Sequence, residues 1–179
     1  MGQHNGPADT TSVEDSEAAR RDPADAYESA LSKSLHFLGY RARSSNEVVK
    51  FLHKKGFDDL TIAHVCNRLR ELGYVDDEVF AESYVGNRQE STRKASKAKM
   101  RNDLMRKGVA KETVERAMER LPGDYETEAA RELAERLAAK LGGVEPAVRN
   151  KKIVGHLMRR GFSYESAQSA LHALKLGEI

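Results

Sequence analysis

The residue types that most often carry catalysis are sparse in this chain and poorly spaced. Its six histidines, His4, His36, His53, His64, His156 and His172, show no common spacing, and Cys66 is the single cysteine. One cysteine excludes an internal disulfide and fits a reducing compartment. His64 and Cys66 stand two residues apart, so on a helix they point in different directions and make a poor metal pair. Asp76, Asp77 and Glu82 form an acidic group, but Asp76 sits where a helix N-cap is expected, and Asp77 and Glu78 suit the positive end of that helix. No glycine-rich phosphate loop, nucleophile elbow or His-Glu-x-x-His pattern appears. The sequence therefore predicts a protein that is not an enzyme, with no catalytic residue, metal or cofactor.

The chemistry that remains is cationic. The net charge of +2 hides an acidic start, where residues 1–25 carry six acidic and two basic groups. The segment 86–111 carries nine basic residues against two acidic ones, a net +7. Arg88, Arg93, Lys94, Lys97, Lys99, Arg101, Arg106 and Lys107 recur there with only Glu90 and Asp103 to offset them. Lys97 and Arg101, and less well Lys94, share a helical face, where like charges repel. Such a run suits an anionic partner, either nucleic acid or an acidic protein surface. Arg88, Lys94, Lys97, Arg101, Arg106 and Lys107 are the leading candidate contacts. Arg41, Arg43, Lys54, Lys55, Arg159 and Arg160 come second, because a basic residue in the last turn of a helix already has a local reason to be there.

Residues 1–21 are polar, acidic and poor in bulky apolar groups, which predicts a disordered tail. From there on the pattern is helical, and no proline falls between Pro23 and Pro122. Asp22-Pro23 gives an N-cap and a proline at the first helical position. Ser44-Ser45-Asn46-Glu47 has the form of a capping box. Asp58, Asp76, Ser96, Asp124 and Ser163 precede apolar-periodic segments, whereas Ala110 occupies a cap position without a capping oxygen. Gly56, Gly73, Gly108, Gly123 and Gly161 follow such segments, where a left-handed residue is expected. Nine helices result, at about 23–38, 45–55, 59–72, 77–90, 97–107, 111–121, 125–141, 147–160 and 164–176.

Three of those glycines, Gly56, Gly108 and Gly161, lie 52 and 53 residues apart and set a register. Eight residues before them stand Val48, Met100 and Ile153, and four before stand Leu52, Leu104 and Leu157. Phe57, Val109 and Phe162 follow immediately. Ile62, Val114 and Ala167 come six after, Val65, Ala117 and Ala170 nine after, and Leu69, Leu121 and Leu174 thirteen after. These offsets trace one face of successive helices. The fold class is thus all-α, with three tandem three-helix repeats at 22–74, 75–122 and 123–179 forming an elongated, curved array.

Two repeats also carry a recognisable string. It runs Arg41-Ala42-Arg43-Ser44-x-x-Glu47-Val48, Leu52-x-x-Lys55-Gly56-Phe57, then Leu72-Gly73-Tyr74-Val75-Asp76-Asp77-x-x-Phe80-Ala81-x-x-Tyr84-Val85-x-x-Arg88, and Met100-Arg101-x-x-Leu104-x-x-Lys107-Gly108-Val109. This resembles the RecX family of bacterial regulatory proteins over about residues 26–175. The resemblance implies a monomeric, cytoplasmic protein that binds the RecA recombinase and its filament on single-stranded DNA. It implies inhibition of strand exchange and of the coupled ATP hydrolysis, within regulation of DNA repair, recombination and the SOS response. The acidic tail departs from the family pattern, as does Ala95-Ser96, where members often have a glycine.

No stretch approaches the roughly 20 apolar residues needed to cross a bilayer, and the N-terminus lacks the apolar core of a secretory signal. The competing reading is a DNA-binding helical-repeat protein without a recombinase partner; a general helical scaffold is a third. The last helices of the repeats open as DDLTIAH, AKETVER and SYESAQS, which suits base reading in a major groove poorly. With no Trp and few aromatics expected at the surface, base stacking has weak support, while auxiliary phosphate contacts remain compatible with a protein partner.

Overall fold

The structure is a computed structural model, which describes residues 22–177, with side chains through Leu174. Nine helices and no strand occur among the described residues: α1 (Pro23–Gly39), α2 (Ser45–Lys54), α3 (Asp59–Glu71), α4 (Asp77–Glu90), α5 (Lys97–Arg106), α6 (Lys111–Glu119), α7 (Tyr125–Lys140), α8 (Pro146–Arg159) and α9 (Tyr164–Gly177). Each lies within two residues of its expected bounds. The acidic tail, residues 1–21, falls outside the described residues.

The starts follow from local chemistry. Asp22 accepts from the Ala24 N–H ahead of Pro23. Ser44 and Glu47 form the reciprocal capping box, with both bonds at 3.2 Å. Asp58, Ser96 and Ser163 accept from the backbone N–H groups of Thr61, Lys99 and Ser166. Ala110 makes no side-chain cap bond. Asp124 makes none either, contrary to expectation: its backbone is turned (φ −85°, ψ 1°) instead of extended, which aims the carboxylate away from the first turn.

The helix ends repeat one device. Gly56, Gly108 and Gly161 have φ of 79°, 82° and 85°. Each glycine N–H donates to the carbonyl three residues back at 2.9 Å, on His53, Met105 and Met158. The following N–H, of Phe57, Val109 or Phe162, donates to the carbonyl of Leu52, Leu104 or Leu157 at 3.3, 3.2 and 3.2 Å. This is the paired closure of a Schellman motif, and its usual apolar contact falls between those same residues. Gly73 ends α3 in the same way, with φ 72°. Gly123 does not adopt positive φ. There Pro122 interrupts the chain, and a turn from the Pro122 carbonyl to the Tyr125 N–H replaces the reversal.

The repeat register is the core. Val48, Met100 and Ile153 are fully buried, as are Leu52, Leu104 and Leu157. The chain divides into two compact units, a first ending at Asp76 and a second beginning at Asp77. The first has its own core of Ala30, Val48, Leu52, Phe57, Ile62, Val65, Cys66, Leu69 and Val75. Cys66 is thus a buried thiol, and burial raises its pKa. In the second unit one core runs through repeats two and three together, from Phe80 to Leu171.

A polar seam within the second unit fixes that pairing. The Ser96 N–H donates to the Arg160 carbonyl at 3.1 Å. The Lys97 N–H donates to Glu126 at 2.8 Å, and the buried Tyr125 hydroxyl donates to the Ala95 carbonyl at 3.0 Å. Gly161 lies so close to this seam that a Cβ there would stand 2.6 Å from Ser96 Oγ and 2.9 Å from Lys99 Cβ, whereas one on Gly56 meets nothing within 4 Å. Gly56→Ala is therefore expected to cost about 1–2 kcal/mol from the left-handed backbone alone. Gly161→Ala should cost a further ~1–3 kcal/mol because its neighbours must shift. Urea unfolding of the two variants, followed unit by unit, checks the difference.

Candidate partner-binding surface

The basic run of repeat two lies on the end of α4, the connection 91–96 and α5. Folding neutralises much of it. Lys94 donates to the Gln89 carbonyl at 2.5 Å and pairs with Glu132 of α7 at 3.4 Å; its side chain is only 11% exposed. Because α5 begins at Lys97, Lys94 shares no helical face with Lys97 and Arg101. Arg101 Nε donates to both carboxylate oxygens of Glu115 on α6, at 2.9 and 3.0 Å. Lys97 Nζ donates to the Pro122 carbonyl at 3.3 Å.

Asp103 organises the rest. This side chain is 11% exposed, and its carboxylate receives Arg106 at 2.7 Å, Lys99 at 3.6 Å and the Tyr84 hydroxyl at 3.0 Å. The Arg88 guanidinium lies over the Tyr84 ring, 5.3 Å from its centroid. Burial, and then the bond to Asp103, push the Tyr84 hydroxyl pKa upward. Arg106 keeps a side chain 78% exposed. Lys107 is half-buried, with its ammonium 5.8 Å from the Phe80 ring centroid.

In the first unit, Glu47 serves both the capping box and two arginines. Arg41 reaches it at 2.6 Å and Arg43 at 3.8 Å. Arg43 lies over Phe37, 4.0 Å from the centroid, and Phe37 stacks on Phe51 at 4.1 Å. Burial, and then neighbouring Arg41, lower the Arg43 pKa, opposed by Glu47. Lys54 is exposed at the end of α2, and Lys55 closes that helix with its ammonium 5.8 Å from the Phe51 centroid.

In repeat three, Arg159 ends α8 exposed and Arg160 is its C-cap. Among the described residues neither guanidinium meets a carboxylate within 4.0 Å. The pKa of His156 is lowered first by burial and then by Arg160, Arg159 and Lys140. The surface also carries more aromatic area than expected: Tyr40, Tyr74 and Tyr164 are 73%, 57% and 61% exposed. Among the described residues no group of three His, Cys, Asp or Glu side chains is placed to hold a metal ion, and no helix is long and apolar enough to cross a membrane.

Tandem three-helix repeats with apolar interiors and cationic helix ends define a class of helical-repeat protein that presents charged surface. Family models identify which one. Those described as the first, second and third three-helix domains of RecX match residues 30–79, 76–118 and 124–171, in order. The chain belongs to the RecX family.

It is 37% identical over 144 residues to the regulatory protein RecX of Geobacillus sp. (strain WCH70), covering 79% of this chain and 52% of that protein. It is 31% identical over 152 residues to that of Leuconostoc citreum, covering 85% and 57%. With the relative from Amycolatopsis mediterranei it shares 31% over 140 residues, covering 78% and 79%. The chain thus spans about half the length of the first two relatives. The crystal structure of RecX from Lactobacillus salivarius matches with a TM-score of 0.69 at 25% identity, over 86% of this chain and 99% of that one. These relatives are named as regulatory proteins, not as enzymes.

Two measurements separate packing from surface. Lys94→Ala leaves the Gln89 carbonyl without its donor and Glu132 with Arg136 alone, and should cost about 1–3 kcal/mol of unfolding free energy. Arg116→Ala, which breaks an exposed pair with Glu78, should cost no more than about 1 kcal/mol. His156 binds its proton less readily folded than unfolded, so the second unit should lose stability as pH falls through the ordinary value of 6.5, and His156→Gln should flatten that dependence in thermal unfolding.

Proposed function

We propose that this chain regulates the RecA recombinase by docking on its filament on single-stranded DNA, and that it mostly inhibits ATP turnover and strand exchange. The observation that carries this reading is the match of all three repeats, in order, to the RecX domains. On this reading the protein acts in the cytoplasm as a monomeric regulator of DNA repair and recombination, including the SOS response.

Arg88, Lys97, Arg101, Arg106 and Lys107 are the leading contacts, held in register by the Asp103 network and by Lys94. Arg41, Arg43, Lys54, Lys55, Arg159 and Arg160 supply secondary contacts from the other repeats. Contacts on more than one RecA subunit would oppose the subunit rearrangements that turnover and growth need, and linkage of the repeats would raise avidity.

The direct test titrates the protein into RecA hydrolysing ATP on single-stranded DNA. Sub-stoichiometric amounts should slow turnover and shorten filaments; unchanged turnover and length would refute the reading. Arg106→Gln with Lys107→Gln should weaken filament binding roughly tenfold. Unfolding curves of that variant establish that the loss is one of binding.

A further inference from the structure

The residues before the repeated glycine read Leu104-Met105-Arg106-Lys107 in repeat two and Leu157-Met158-Arg159-Arg160 in repeat three. The helix stop accounts for the leucine, which is buried, and for the basic residues. It does not account for the methionine. Met105 is 44% exposed and Met158 50% exposed, so each leaves an apolar side chain in water. The equivalent residue of repeat one is His53, a polar ring 3.5 Å from Asp59.

Each methionine comes one residue after that leucine and five after the buried Met100 or Ile153, which turns it about 100° and about 140° away from them on an α-helix. The next arginine lies about 100° further round. Between the two, one turn earlier, stands a residue with a short side chain or none: Asn102 in repeat two and Gly155 in repeat three. The outer faces of α5 and α8 therefore carry the same relief, an exposed thioether, a shallow centre and a guanidinium. Two different devices hold the arginine there. Arg106 is tied to the buried Asp103 at 2.7 Å, yet its side chain stays 78% exposed. Arg159 lies along its own helix, with a guanidinium nitrogen 3.5 Å from where a Cβ on Gly155 would stand.

Exposed methionine beside arginine is a mark of protein interfaces, where both residue types are enriched over the rest of the surface. The unbranched thioether adapts to irregular apolar recesses, and an arginine at the rim can meet a carboxylate with two parallel bonds. A nucleic acid accounts for the guanidinium but not for the thioether, which offers neither a charge to a phosphate nor a flat ring to a base. Helix α8 contains no acidic residue, and the one acid of α5, Asp103, is turned inward, so neither helix supplies a carboxylate to its outer face. Two copies of one surface within one compact unit suit a partner that presents one recess more than once, as identical neighbouring subunits of a polymer do.

We infer that Met105 with Arg106, and Met158 with Arg159, are two equivalent docking points, each seating its methionine in an apolar recess rimmed by a carboxylate on a protein subunit of the filament. The inference rests on the filament reading and adds to it the apolar contact and the chemistry of the recess. Repeat one, with His53 in the methionine's place, makes no such contact.

The test measures the concentration of the full chain that half-inhibits ATP turnover by RecA on single-stranded DNA, and in parallel its affinity for a fluorescent single-stranded oligonucleotide without RecA. Met105→Gln or Met158→Gln alone should raise that concentration roughly fivefold, and the two together roughly 25-fold, because each removes an apolar side chain from its recess. Glutamine keeps the length and the helix propensity, so unfolding curves should not move. Met105→Leu with Met158→Leu keeps the apolar volume and should stay within about threefold of wild type. Val79→Gln changes an exposed apolar residue of α4 outside this register and should stay within about twofold. None of these variants should alter oligonucleotide affinity. The inference is overturned if the double glutamine variant is no weaker than the weaker single one, or if oligonucleotide affinity falls in proportion, which would make the face a nucleic-acid surface. A wild-type chain that leaves turnover unchanged defeats the filament reading and this inference with it, whereas an inhibitory wild type with an equally inhibitory double variant defeats this inference alone.

Discussion

The fold depends on how a helix is stopped. At Gly56, Gly108 and Gly161 the chain enters the left-handed region, which only glycine occupies without cost, and the next residue is turned back against the leucine five positions earlier. Three requirements are met in one turn: orphan carbonyls find donors, an apolar side chain returns to the core, and the following helix leaves in a defined direction. Basic residues before the glycine then face the negative end of the helix. The recurrence of Lys54-Lys55, Arg106-Lys107 and Arg159-Arg160 is thus first a property of the turn.

The second unit shows how a repeated turn can acquire a further duty. Gly161 ends α8 as its counterparts end their helices, yet it also lies against Ser96 and Lys99. The Arg160 carbonyl beside it accepts the Ser96 N–H. Ser96 therefore has its N–H held by repeat three while its hydroxyl caps α5. With Glu126 on the Lys97 N–H, the N-terminus of α5 is satisfied partly from another repeat. Buried backbone groups must find partners, and here the partner repeat supplies them.

Charge was the feature least legible in the sequence. A window count ranks 86–111 first because it records only the acids inside the window, Glu90 and Asp103. Glu115 and Glu132 lie outside it and are brought to Arg101 and Lys94 by folding. Asp103 offered little sign of its role, since one carboxylate among many cations reads as a minor offset. Buried beside Tyr84, it holds Arg106 and Lys99. The shorter run on α8 includes two arginines that coincide with a helix stop, and no acid falls between 146 and 160. The exposed ring of Tyr164 could not be foreseen, because a tyrosine at the start of a helix serves a core or a surface equally well.

The sequence alone determined the all-α class, nine helices to within two residues, most of the caps, and the buried register of Val48, Leu52 and their equivalents. These follow from local rules: a helix has one period, a cap needs a side-chain oxygen near the first turn, and a left-handed stop needs glycine. Gly123 and Asp124 departed from expectation where Pro122 imposed its own turn, a competition between two local rules. Only the tertiary structure decided that repeats two and three share one core, that Lys94 is a packing residue with a salt-bridged head, and which cations remain without a counter-charge. Pairing and burial act between residues far apart in the chain, through distances that no spacing along it records.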